Sequence, residues 1–512
     1  MNIAWLVHRW SELQPHKIAL WFEGRDISYA ELDRRVDQVA CWMQSLDVEK
    51  GDRVGAMMNN CPEFIEIYLA CSRLGALFVP INYRLAPAEL EYTLGDSQPK
   101  LMVFGEAYEG LFEASGPGDI LPSLKMAVVG EDTEQRGVVN FMKETASFRG
   151  MKPLIPQWRG PADAEEPHVI MYTSGTTGRP KGAVLSHRKT FFNCLNADIF
   201  FKLAHDDVML VVLPLFHSGG LFIQASPVLF KGGTLVIHSR FDASNTFRDM
   251  GRYGVTKFLG VPTVYRALLS VDAHRREVPS TLKVCAIGGE KTTPELIQRC
   301  HAAGFEVRQI MGQTETSILL WASEAAVLEK PGTVGIPVFH GEVAIVDEQD
   351  TPVAVGEVGE IVVRGSIMMT GYWRDPERTE KTIRNGWLHT GDLARQDRDG
   401  YVYLIDRVRD MYISGGENVY PAEVERVLKT HPGVIDAAVV GVADEIWGEV
   451  GHAFLITEGE RLSTECLTAH CEGKLARYKW PGRFSFCRSF PRTSLGKVKK
   501  NLLLQTMGGE EE

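Results

Sequence analysis

Tyr172-Thr-Ser-Gly-Thr-Thr-Gly-Arg-Pro-Lys-Gly182 follows the apolar run Val169-Ile-Met171 and precedes Ala183-Val-Leu185. Hydroxyls, glycines and a lysine are thus concentrated between two buried-looking segments. Glycine lets backbone N–H groups turn toward an anion at little steric cost. Hydroxyl donors and the Lys181 charge complete a cradle suited to a polyphosphate. The candidate contacts are Thr173, Ser174, Gly175, Thr176, Thr177, Gly178 and Lys181. A Walker loop is excluded, because Gly175 and Gly178 are three apart and Lys181 is followed by Gly182, with no hydroxyl there to hold Mg²⁺.

On the N-terminal side, strand and helix alternate. Arg53–Met58 reads as a strand, and Pro62 opens a helix with Phe64, Ile65, Tyr68, Leu69 and Cys71 at helical spacing, closed by Gly75. Strand-like Leu77–Ile81, helical Pro87–Leu94 and strand-like Leu101–Phe104 follow, and the same rhythm runs from Val208 to Ile287. Repeated βαβ units predict a mainly parallel sheet covered on both faces. Beyond Tyr401–Ile405 the pattern changes: a helix over Pro421–Leu428, strands over 435–442 and 452–456, a helix over 464–475 and a last strand over 483–487. The expected fold is α/β, with a large N-terminal domain (1–407) of layered, mainly parallel sheets and a small, mobile α+β C-terminal domain (408–512).

The chain has 512 residues, is 44% hydrophobic and carries a net charge of −11, an acidic balance that argues against nucleic-acid partners and a polybasic membrane anchor. Nine scattered cysteines without a C-x-x-C pair suit reduced thiols in a cytoplasm. The N-terminus lacks a basic segment ahead of its apolar residues and reads as an amphipathic helix rather than a signal peptide. Val208 to Phe230 is uncharged, but Pro214, His217, Gly219-Gly220, Gln224 and Pro227 make it a buried loop and helix, not a transmembrane segment. Peripheral membrane contact is left open.

Further boxes stand in order: Leu213-Pro-Leu-Phe-His-Ser-Gly-Gly220, Gly260-Val-Pro-Thr-Val-Tyr265, Ile287-Gly-Gly-Glu290, Gln309-Ile-Met-Gly-Gln-Thr-Glu-Thr316, Trp387-Leu-His-Thr-Gly-Asp392, Asp406-Arg-Val-Arg-Asp410, Ser414-Gly-Gly-Glu-Asn-Val-Tyr-Pro421 and Pro491-Arg-Thr-Ser-Leu-Gly-Lys-Val-Lys499. With the 172–182 loop, this series resembles the acyl-adenylate-forming superfamily, which includes acyl-CoA synthetases, luciferases and peptide-synthetase adenylation domains. The resemblance covers nearly the whole chain. It implies ATP, Mg²⁺ and CoA as cofactors and a carboxylic acid as substrate.

Residue by residue, it implies Lys497 as the catalytic lysine and Glu315 as the Mg²⁺ ligand, with Thr314 at the α-phosphate. His217 borders the carboxylate pocket. Asp392 and Arg407 hold ribose; Gly289, Glu290, Met311, Gly312 and Gln313 surround the adenine and phosphates. Arg409 occupies the pivot, commonly lysine or aspartate, and Met311 stands where an aromatic is usual; both are departures. Ser414, Gly415, Gly416 and Glu417 are expected beside the pantetheine arm. His217, Leu221, Val261, Gly288 and Ile318 are the acyl-pocket candidates, and a homodimer fits the family.

The implied activity is ATP-dependent acyl-CoA synthesis. The candidate pocket stretches carry no charge, so an apolar monocarboxylate is expected, with medium- or long-chain fatty acids first and aryl acids such as benzoate or coumarate as the alternative. A carrier-protein-loading enzyme and an inactive nucleotide-binding regulator are the remoter readings. No carrier segment follows residue 512, and both Lys497 and Glu315 are present.

Overall fold

The computed structural model describes residues 2–131, 137–154, 164–173, 179–271, 278–290, 292–407, 411–457, 462–491, 498 and 500–505. The strand and helix alternation of the N-terminal half is realised as two large sheets. In the first, Ile18–Phe22, Thr234–Ile237, Val208–Val211, Lys257–Gly260, Val284–Gly288 and Val307–Gln313 run parallel as neighbours. Ser317–Ala322 and Arg25–Ser28 add antiparallel flanks. In the second, Pro167–Thr173, Leu77–Pro80, Arg53–Met57, Leu101–Gly105 and Lys125–Val129 are parallel. Lys181–Ser186 turns back against Pro167–Thr173, pairing Thr173 with Lys181.

Helices Tyr29–Ser45 and Pro62–Leu74 are buried along much of their length because both faces meet apolar neighbours. One continuous core joins them to the sheets, from Ile3 to Val402. Pro62 sits in the first turn and Gly75 caps in the left-handed conformation, as the sequence requires.

Two features depart from the sequence reading. Glu342–Val346, Gly359–Arg364, Trp387–Gln396 and Val402–Arg407 belong to a separate antiparallel sheet. Its strands alternate buried and exposed residues only in part, so their period is weak. The helix expected over 464–475 ends at Cys471, because Glu472 is extended and Gly473 is left-handed (φ 73°).

The last sheet starts at Tyr412: Tyr412–Ser414, Glu417–Val419, Val434–Asp444, Gly448–Thr457 and Arg483–Phe486. With the helix Pro421–Leu428 it encloses its own core around Val424, Val439, Leu455 and Leu467. Among the described residues, no helix is long and apolar enough to cross a membrane.

Candidate active site between the two lobes

The ends of the parallel strands and the small lobe enclose a cavity of about 790 Å³. The large lobe contributes Thr173, His217, Val261, Gly288, Gly289, Gly312, Gln313 and Thr314; Gly415, Gly416 and Glu417 enter from the small lobe. Segments far apart in the chain therefore share one space.

Behind the Thr314 wall lies a buried ionic group. Lys181 Nζ donates to Glu315 Oε1 (2.9 Å) and to the Tyr372 hydroxyl, which itself donates to Glu315 Oε1 (2.9 Å). Burial works to raise the Glu315 pKa, but Lys181 and the Tyr372 hydroxyl bring it below the ordinary carboxylate range. The Gln313–Ser317 turn carrying Thr314 and Glu315 is tight: a Cβ on Gly312 would lie 1.7 Å from the Ser317 carbonyl oxygen, so only glycine fits. Gln313 Nε2 donates to Asp392 Oδ2 (2.6 Å), and Asp392 pairs in register with Arg407.

His217 is positioned by a pinned loop. Asn60 donates to the Leu213 carbonyl (2.9 Å) and accepts from Leu215 N–H (2.8 Å), and Phe216 packs edge-on to Tyr83 at 5.0 Å. The chain then enters a π-helix, Gly219–Ala225, a form concentrated at functional sites.

The lobes meet through buried charge. Glu417, from the small lobe, accepts from His217 Nε2 (2.9 Å), Arg84 Nη1 (2.9 Å) and Asn82 Nδ2 (3.3 Å). Its own burial raises its pKa, but His217, Arg84 and Lys479 outweigh that and hold it low. Lys479 bridges Glu423 of its own lobe (3.0 Å to each oxygen) and Glu89 of the large lobe. Glu290 faces the small lobe rather than the cavity: its carboxyl lies against Gly416 and Gly448. Burial pushes it up to about 7, with Arg266 opposing and Glu449 adding to the rise.

Several site candidates take other places. Leu221 and Ile318 are fully buried behind the cavity, not on its wall. The π-helix and the left-handed Ser317 change the phase of their segments, so Ile223 and Ser317 line it instead. Met311 does not line it either, because alternation along the strand turns Ile310 and Gly312 inward. The wall is not free of charge: Arg84 and Arg240 border it. Ser174–Gly178, Arg409, Lys497 and the Arg407 side chain lie outside the described residues. Tyr372, Arg84, Glu89 and Lys479 carried no local signal, since each acts through partners 56 or more residues away.

Residues 7–373 match the AMP-binding enzyme family and residues 423–497 match the AMP-binding enzyme C-terminal domain. The chain belongs to the AMP-binding enzymes. Similar proteins include a feruloyl-CoA synthase from Amycolatopsis, 37% identical over 99% of both chains. An indoleacetate–CoA ligase from Aromatoleum aromaticum is 36% identical over 98% of this chain and 97% of its own. Among solved structures, the o-succinylbenzoate CoA synthetase of Bacillus subtilis bound to a product analogue, OSB-NCoA, is 30% identical and covers 98% of each chain with a TM-score of 0.88. The same enzyme in complex with AMP gives 0.71, with 97% of each chain covered.

Proposed function

We propose that this AMP-binding enzyme is an AMP-forming ligase that joins an aromatic carboxylic acid to coenzyme A. The observation that carries the reading is the single cavity in which Thr314, beside the buried Lys181–Glu315 pair, faces Gly415–Glu417 of the small lobe. The aryl preference follows the relatives, whose names specify ferulate, indoleacetate and succinylbenzoate rather than fatty acids. It also suits a cavity with apolar walls at Val261, Val264 and Ile310 and polar groups at Asn60 and Tyr108.

In the first half-reaction the acid's carboxylate attacks the α-phosphorus of ATP and pyrophosphate leaves, giving an acyl-adenylate. The 174–182 loop and Lys181 would hold the phosphates, Thr314 the α-phosphate, Asp392 and Arg407 the ribose, and Gly288–Gly289 the base. Lys497 would bridge carboxylate and phosphate. Glu315 fits Mg²⁺: its carboxylate is kept ionised beside the phosphate loop, and among the described residues no cluster of three or more ligands competes for a metal. Such a single carboxylate suits an ion that shares phosphate oxygens and keeps its waters. When bound, the ion supplies charge neutralisation to the phosphates.

In the second half-reaction the CoA thiol attacks the acyl carbonyl and AMP leaves. Gly415 and Gly416 would flank the pantetheine arm, with His217 held away from the carbonyl by Glu417. The better superposition on the product-analogue complex than on the AMP complex supports this lobe arrangement as the thioester-forming one. Rotation about Arg409, at the 407/408 boundary, would exchange it for the adenylating one. No disulfide joins the nine cysteines among the described residues, which supports a reducing cytoplasm.

AMP release should be measured across ferulate, coumarate, benzoate, indoleacetate, octanoate and palmitate. Aromatic acids are expected to dominate; a preference for octanoate or palmitate overturns the aryl assignment. Lys497→Ala should remove adenylation while sparing thioester formation from preformed acyl-adenylate, and survival of both half-reactions refutes its role.

A further inference from the structure

Lys189 stands where a cation is disfavoured twice over. It lies in the first turn of the helix His187–Phe201, which has no acidic residue there, so the helix dipole opposes its charge. Its side chain is fully buried, and desolvation lowers its pKa to about 7. A methionine would fill the same volume without either cost. Local rules broken at such a cost mark functional positions.

The ammonium is directed at one place. It donates to Ser317 Oγ and lies 5.6 Å from the Phe222 ring, with Glu315 attracting it electrostatically. Ser317 is itself anomalous: a non-glycine residue at φ 57°, a left-handed backbone that a side chain disfavours. It closes the turn whose Gln313 N–H bonds Thr316 Oγ1 (3.2 Å) and whose Gln313 pairs with Ser317. Thr314 and Glu315 are the residues between. The close approach of the Ser317 carbonyl to Gly312 means that any relaxation of Ser317 shifts them.

We propose that Lys189 is a positioning residue for adenylation: it anchors the Ser317 hydroxyl and so keeps the left-handed turn that presents Thr314 and Glu315 to the nucleotide. This rests on the ligase reading above. The cost of burying the charge is offset by a turn held ready before substrate arrives.

The test uses ATP–pyrophosphate exchange, with ferulate as the acid probe, alongside thioester formation from synthetic feruloyl-adenylate. Lys189→Met should slow exchange about 10- to 100-fold in kcat, the scale of a small misplacement of reacting groups, and leave thioester formation largely intact. Ser317→Ala should show the same loss, and the double variant K189M/S317A should be no worse than either. K189M/S317G should regain much of the lost rate, because glycine takes the left-handed backbone without an anchor. Unimpaired exchange in Lys189→Met, additive losses, equal loss of both half-reactions or no recovery with glycine each overturn the inference. A wild type inert in both half-reactions with every acid of the panel above and its adenylate overturns the ligase reading and the inference with it; an active wild type with unaffected variants overturns the inference alone.

Discussion

Two buried ionic groups, Lys181–Glu315–Tyr372 and Lys479–Glu89–Glu423, resemble each other in composition and differ in what holds them. The first belongs wholly to the large lobe, where the strands Lys181–Ser186 and Gly371–Tyr372 and the tight Gln313–Ser317 turn fix its members. The second is split: Lys479 and Glu423 belong to the small lobe, while Glu89 lies on the helix Pro87–Ser97 of the large lobe, so the proposed rotation would separate them. A charge pair inside one core is permanent architecture. A pair across a seam exists in one lobe arrangement only, so its energy selects between arrangements. On the proposed reading, the difference separates residues that serve chemistry from residues that set the conformation in which each step occurs.

The comparison breaks first if Lys181→Met spares adenylation. Removing this cation takes away the proposed phosphate donor and leaves Glu315 buried beside Tyr372 without its ammonium. A loss of about 10²–10³ in pyrophosphate exchange is expected, with thioester formation from preformed adenylate much less affected. The seam variant Lys479→Met should do the reverse. Docking would then bring Glu89 and Glu423 together without their shared cation, and breaking such a buried pair costs about 3–5 kcal/mol at most. Thioester formation should fall tenfold or more, on the order expected for part of that cost, while exchange persists. Equal losses in both half-reactions would show that the seam does not discriminate between steps.

The smallest effect sharpens the comparison through pH. Burial, with Glu449 of the small lobe adding to it, raises the Glu290 carboxyl to about 7 against Arg266 and a hydrogen bond from Gly416 N–H, so on balance its ionised form opposes docking. A raised carboxyl pKa costs stability above that value, and the cost is relieved as pH falls toward the ordinary carboxylate range. Glu423 is raised by burial and acts in the same direction. Glu417, depressed by His217 and Arg84, changes charge only at lower pH. Between about pH 8 and pH 5.5 the docked fraction, read from distances between labels on the two lobes, should increase. Glu290→Gln should flatten that rise; an unchanged profile would remove Glu290 from the docking equilibrium.

The order of the chemical boxes was legible because each is local: Gly-rich turns, a hydroxyl-rich loop and a carboxylate after threonine need only neighbouring residues. The helix Pro62–Leu74 and the strands beside it were legible for the same reason, since proline, glycine and apolar spacing act over a few residues. The antiparallel sheet around Trp387–Gln396 was not, because its strands are half-exposed and their alternation is incomplete. Leu221 and Ile318 read as acyl-pocket residues because they are apolar and near motifs, and Met311 as an adenine neighbour because it stands in the Gln309–Thr316 box. A π-helix, a left-handed serine and strand alternation turned them away.

By itself, then, the order of residues determined the chemistry this chain is equipped for, since cradling phosphate, ligating a hard cation and activating a carboxylate are written in short contiguous strings. Only the tertiary structure decided which side chains face one another: Tyr372 against Lys181, Lys479 against Glu89, Lys189 beneath Ser317. Those pairings join residues more than a hundred positions apart, and packing sets such encounters through the shape of the whole core, which no local spacing records.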